Sequence, residues 1–222
     1  MDFGTTEKAQ KAISKRYELN SRVLKLEWVT PKHTDWYKIV PVLFPKHCLN
    51  LALVNGISSP LEVNERLQAG KVQLRADSTA MVNAEYIVSE AQVEAAAVQA
   101  LANRASRKPQ ERSPFSSEFL ACLHPRHSIN DAVGVFGVNK DTKHILFVII
   151  SMVEEEIVSL DNLCQSLSAQ PEEITLLSNV ANKQKICAAY DISVAEMEMA
   201  SDENLGMLPS ILTKMSVGML VR

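Results

Sequence analysis

Glycine is scarce in this sequence, at seven residues among 222, and that shortage removes the phosphate-cradling loops on which nucleotide enzymes depend. No GxxxxGKS/T or GxGxxG run is present to bring backbone amides against a pyrophosphate, and neither a GxSxG elbow nor an HExxH metal helix occurs. Aromatic residues make up only 5%, and no RNP-type stacking motif is among them. The four cysteines, Cys48, Cys122, Cys164 and Cys187, lie far apart with no CxxC or Cys/His spacing suited to tetrahedral zinc, and read as reduced thiols. No apolar run approaches the ~18 residues needed to cross a bilayer. The N-terminus lacks the apolar stretch of a secretory signal, and Asp2, Glu7 and Glu18 argue against an acid-poor transit peptide. The expected location is the cytoplasm with access to the nucleus left open, with no membrane among the partners and no cofactor.

What is present is apolar material of the aliphatic kind. Hydrophobic residues reach 46%, mainly Ala, Val, Leu, Ile and Met, the mixture that fills helix-on-sheet layers. The net charge of −3 conceals a segregation along the chain: residues 1–38 and 104–126 are each net +3, whereas 151–204 hold Lys183 and Lys185 against eleven acids. One end of the molecule should therefore be electronegative.

Local signals then divide the chain. Residues 6–19 suggest a charged helix, 22–29 an alternating strand and 30–35 a turn. Residues 39–44 and 49–54 predict two short strands. Ser59, Pro60, Glu62 and Gly70 frame a helix over 60–69 with a capping box and a left-handed stop. A loop follows over 71–79, and Ser89 with Gln92 opens an Ala-rich helix running through Ala102. Residues 115–123 read as a strand, and 128–136 as a short helix with Asp131 at the capping-box position and Gly137 as its stop. His144 to Met152 is the clearest strand, and its unbroken apolar run predicts cover on both faces. Helices are expected over 160–167, 172–178, 182–190 and, behind a Ser193/Glu196 capping box, 194–199. The fold class is α/β (α+β), a mostly antiparallel or mixed sheet flanked by helices with a helical C-terminal part.

Two features carry more than structure. Arg104, Arg107, Lys108 and Arg112 crowd a loop stiffened by Pro109 and Pro114. They are either a solvated connector or a set of phosphate contacts giving shape-directed, salt-sensitive RNA binding. Leu208, Ile211, Leu212, Met215 and Met219 form one helical stripe. It either packs on the protein's own core or offers a docking surface, for which Met is well suited. Cys122 with His124 or His127 could make a thiol enzyme, but strand alternation would separate them. Glu154, Glu155 and Glu156 read as a solvated acidic loop.

Order and spacing across residues 39–222 resemble the kinase-binding subunit family of the KEOPS/EKC tRNA-modifying complex, the PRPK-binding, TPRKB-like family. The resemblance runs through Leu43-Phe44-Pro45, Leu67-Gln68-Ala69-Gly70, Val82-Asn83, Ile87-Val88 and Ser117-Glu118. It is closest over Ser128-Ile129-Asn130-Asp131-Ala132, Phe136-Gly137-Val138 and Ile145 to Ile150, then continues through Tyr190-Asp191-Ile192-Ser193 and Met215-Ser216. It implies a domain over 39–222 behind an extension over 1–38, and a non-catalytic subunit docked on a PRPK-like kinase/ATPase. Through that kinase it would serve the threonylcarbamoyl transferase that makes threonylcarbamoyladenosine in tRNA. Docking would fall on Leu208, Ile211, Leu212, Met215 and Met219, and tRNA contact on Arg104, Arg107, Lys108 and Arg112. The rival expectation is a stand-alone RNA-binding module.

Overall fold

The structure, a computed structural model, describes residues 35–193, 196 and 205–217. The elements expected over 6–19 and 22–29, the turn up to residue 34, Met219, and the helix over 194–199 apart from Glu196 lie outside these residues.

Five strands form one sheet: β1 (Tyr37–Ile39), β2 (His47–Asn55), β3 (Thr79–Asn83), β4 (His144–Met152) and β5 (Gln170–Glu172). Every pairing is antiparallel, in the order β1-β2-β4-β3, and β5 joins the edge of β2 that β1 occupies further along. The continuous apolar run of β4 finds its explanation here. Leu146 and Val148 face one core with Leu49, Leu51, Leu53, Ala80 and Val82. Ile145, Phe147 and Ile149 face a second with Ala52, Val54 and Met81. A two-residue period is present, but both phases are apolar because helices cover both faces.

The larger layer holds α2 (Glu90–Ser106), α3 (Phe115–Leu123), α4 (Ile129–Phe136), α7 (Lys183–Tyr190) and α8 (Leu208–Val217); the smaller holds α1 (Pro60–Gln68) and α5 (Leu160–Leu167). A single short turn, α6 (Leu177–Val180), precedes α7. The alanines at 96, 97 and 100 are fully buried, which lets α2 approach the sheet closely.

Several expectations need correction. Residues 115–123 are helix α3, not a strand. Phe115, Phe119 and Leu123 keep helical spacing, but α3 lies against α2, α4 and β3, and Glu118 to Leu123 are all buried. A helix enclosed on every side loses the polar face that would mark it. The strand expected over 39–44 ends at Ile39, after which a turn closed by the Phe44 amide on the Pro41 carbonyl (3.0 Å) leads into β2. The Ser59 hydroxyl makes no cap bond, so Pro60 starts α1 without a capping box. Ser89 makes none either, and the Gln92 side chain instead accepts from the Val88 amide at 3.0 Å. Gly137 ends α4 with φ −69°, not in the left-handed region; it is needed because a Cβ there would lie 2.4 Å from the Val133 carbonyl oxygen. The helix expected over 172–178 is split between the end of β5, a 3₁₀ turn (Ile174–Leu176) and the start of α6. The boundary drawn after residue 38 falls inside β1, and Trp36 is already buried, donating to the Val158 carbonyl at 2.8 Å.

Candidate functional site

The C-terminal stripe begins one residue before Pro209, which the first turn of α8 tolerates because its missing N–H has no intrahelical acceptor. The structure divides the stripe in two. Ile211 (0% exposed) and Met215 (5%) enter the larger core, where they fill space against the sheet-facing helices. They are core residues, a correction to their expected docking role, since side chains consumed by the protein's own interior cannot meet a partner. Leu208 and Leu212 are half-buried at the rim of that core, and Val217, the last residue of α8 and off that face, is 49% exposed.

Polar contacts fix how this rim is presented. His127, in the left-handed region at φ 51°, donates from Nε2 to the Met215 carbonyl at 2.8 Å. Lys214 donates to the carbonyl of Asp191 at 2.6 Å and pairs with Glu196 at 3.5 Å. The Ser193/Glu196 capping box is reciprocal: the Ser193 amide donates to the Glu196 carboxylate at 2.7 Å and the Glu196 amide to the Ser193 hydroxyl at 3.3 Å. Beneath them the Tyr190 hydroxyl donates to the Leu123 carbonyl (2.8 Å) and accepts from the Gln92 amide (2.9 Å). Burial raises the Tyr190 pKa far above the usual phenol range, against an opposing pull from the Gln92 hydrogen bond. The end of α8 is thereby tied to the loop between α3 and α4 and to the residues after α7, while Tyr190 ties α7 to α2 and α3.

The basic loop is organised around a carboxylate that the sequence reading did not single out. Glu118, 4% exposed on the first turn of α3, accepts from the Ser113 amide at 3.0 Å and from Arg104 Nη1 at 3.0 Å, with Arg107 Nη1 at 3.6 Å. Arg104 also donates to the Ser113 carbonyl at 3.0 Å. A buried carboxylate must be paired and hydrogen-bonded to be tolerated, and these donors meet that requirement. Arg104 is thus turned inward, Arg107 is partly engaged, and Lys108 and Arg112 are exposed without an ion-pair partner among the described residues. The local hint of this clasp was an acid directly after two serines in the first turn of a helix, Ser116-Ser117-Glu118.

The remaining chemistry does not converge. Cys122 lies 2% exposed on α3, where the Asn103 amide donates to its sulfur at 3.7 Å. The alternation argument that separated it from His124 fails with the strand, yet His124 Nδ1 is occupied as acceptor of the Arg126 amide at 3.1 Å. Burial pushes the Cys164 thiol up to about 11 and those of Cys48 and Cys187 above their ordinary range, the opposite of an activated nucleophile. Glu154, Glu155 and Glu156 are exposed, and Glu155 reaches Arg75 at 3.3 Å. Among the described residues no group of three or more His, Cys, Asp or Glu is placed to hold a metal ion.

A family profile described as kinase binding protein CGI-121 matches residues 54–217, from the end of β2 to the end of α8. No match is found among curated proteins.

Proposed function

Because the chain belongs to the CGI-121 family of kinase-binding proteins, we propose that it is a non-catalytic accessory subunit of a KEOPS/EKC-type assembly, docked on a PRPK-like kinase/ATPase. Through that kinase it would serve the transferase that makes threonylcarbamoyladenosine in tRNA, in the cytoplasm and with access to the nucleus. The observation that carries this reading is the family match extending through α8. The half-buried Leu208 and Leu212, held in place by the His127 and Lys214 contacts, support docking at that rim. A ridge already braced by its own protein loses little conformational freedom when a partner covers it, so more of the burial energy is left for affinity.

On the same reading Lys108 and Arg112 contact the tRNA backbone, and Arg104 and Arg107 hold the loop in shape. Two outward cations suit a weak, salt-dependent contact that supplements affinity supplied elsewhere in the assembly. Affinity purification of the tagged full chain, with identification of its companions, tests the assignment. A small atypical kinase and a threonylcarbamoyl transferase should co-purify; recovery of the chain without either contradicts the assembly role.

A further inference from the structure

Two serines among the described residues precede a proline, and the fold treats them differently. Pro60, after Ser59, is buried in the first turn of α1, whereas Pro114, after Ser113, is exposed. Around Ser113 the backbone is extended, with Arg112 at φ −82°, ψ 130° and Pro114 at φ −51°, ψ 141°. The Ser113 amide and carbonyl are engaged by Glu118 and Arg104, while its hydroxyl makes no hydrogen bond among the described residues. By contrast the nearby Ser106 hydroxyl is spent on the Asn103 carbonyl at 2.9 Å within the last turn of α2. A protein kinase that selects proline after its target needs an extended segment, a reachable hydroxyl and a proline ring free to enter its own pocket. Ser113, half-buried with that unbonded hydroxyl, combines an extended backbone with an exposed proline, whereas Ser59, though exposed, fails the last condition.

We propose that Ser113 is a phosphorylation site for a proline-directed serine/threonine protein kinase, and that its phosphate opens the Glu118 clasp over residues 104–113. In the transfer Ser113 Oγ bonds to the γ-phosphorus of ATP and the bond from that phosphorus to the β-phosphate oxygen breaks. ADP leaves with the electron pair, and the hydroxyl proton passes to the base of the modifying kinase and then to solvent. The product carries close to two negative charges at neutral pH. They are added to the residue whose amide rests on the Glu118 carboxylate, 3.0 Å away. Like-charge repulsion disfavours that contact, and the phosphate oxygens compete with Glu118 for Arg107, which is the more exposed and more distant of its two guanidinium partners. The segment 104–113 also holds Lys108, Arg112 and the exposed Glu111, so its net positive charge is largely cancelled. The effect on RNA rests on the proposed RNA contact of this loop; the site itself and the opening of the clasp do not.

The test uses the full chain incubated with ATP and a purified cyclin-dependent kinase, with the phosphates mapped by fragment mass spectrometry and amide exchange followed by deuterium uptake. Phosphate should appear on Ser113 and not on Ser59, and the Ser113 amide should exchange roughly tenfold faster in the phosphoprotein, as expected when a local clasp opens. The Ser113→Ala variant should keep its protection after the same treatment. No phosphate at Ser113, or equal labelling of Ser59, overturns the site; phosphate with unchanged exchange overturns the opening of the clasp. Filter binding of tRNA distinguishes the loop's role. If Lys108→Glu with Arg112→Glu weakens binding, phosphorylation should weaken it about fivefold, and equal binding by the phosphoprotein then counts against the proposal. If the double variant binds like wild type, the RNA reading of the loop falls, and the mapping and exchange results still decide the site and the clasp.

Discussion

Tyr190 gathers three elements at one buried oxygen. Its hydroxyl is the donor to the Leu123 carbonyl at the end of α3 and the acceptor from Gln92 on α2, and its ring packs against Phe136 of α4 with centroids 5.6 Å apart. Tyr190→Phe leaves both partners without their bond in a dry interior, so urea denaturation should show a loss of about 1–3 kcal/mol with little change in the folded circular dichroism spectrum. His124 is a second sensitive residue. Burial, with Arg126 and His127 nearby, lowers its pKa below the ordinary value of 6.5, against an opposing pull from Asp131. A histidine kept neutral by the fold adds no pH dependence above that value, where both states are neutral. As pH falls below it the unfolded chain takes up the proton first and stability is lost. The urea midpoint should therefore drop between pH 7.5 and pH 5.5, and drop less in His124→Gln. The role of Tyr190 could not be read from sequence, because Gln92 and Tyr190 meet across 98 positions and the local pattern offered Gln92 only as half of a capping box; His124 drew notice there only as a partner for Cys122.

At the scale of elements, helix starts were legible from local polar and proline signals, including those of α1 and α2, where Ser59 and Ser89 make no cap bond. Ser128, Ser159 and Asn182 each accept a cap hydrogen bond from the amide three residues on, at the starts of α4, α5 and α7. What misled was enclosure. α3 is surrounded by α2, α4 and β3, so burial erased the amphipathic signal and left an apolar run that looks like a strand. The glycine after α4 was recognised as a stop, but its reason lies in packing. Gly137 also bridges to Val82 on the edge strand β3. Gly137→Ala must push its Cβ away from a carbonyl oxygen 2.4 Å distant. It should lower stability by about 1–3 kcal/mol, seen as a reduced thermal midpoint, whereas Gly134→Ala, with open space around it, should not.

For the whole molecule, the sheet with helices on both sides could be anticipated from the doubly apolar β4, and the family from order and spacing. Which side of the C-terminal stripe belongs to the protein itself could not. Periodicity tells which residues share a helix face, and it is silent on which polypeptide fills the space opposite. The structure assigns Ile211 and Met215 to the interior, so Ile211→Glu would bury an unpaired charge and should unfold the domain instead of reporting on docking. The rim residues are the useful probes. Calorimetric titration of the full chain against the proposed partner, a PRPK-like kinase, comparing wild type with Leu208→Glu plus Leu212→Glu, tests the docking account directly. It predicts at least a roughly tenfold weaker affinity, the effect of losing about 1.4 kcal/mol, with the melting temperature within a few degrees of wild type. Undiminished binding by the folded double variant would contradict it.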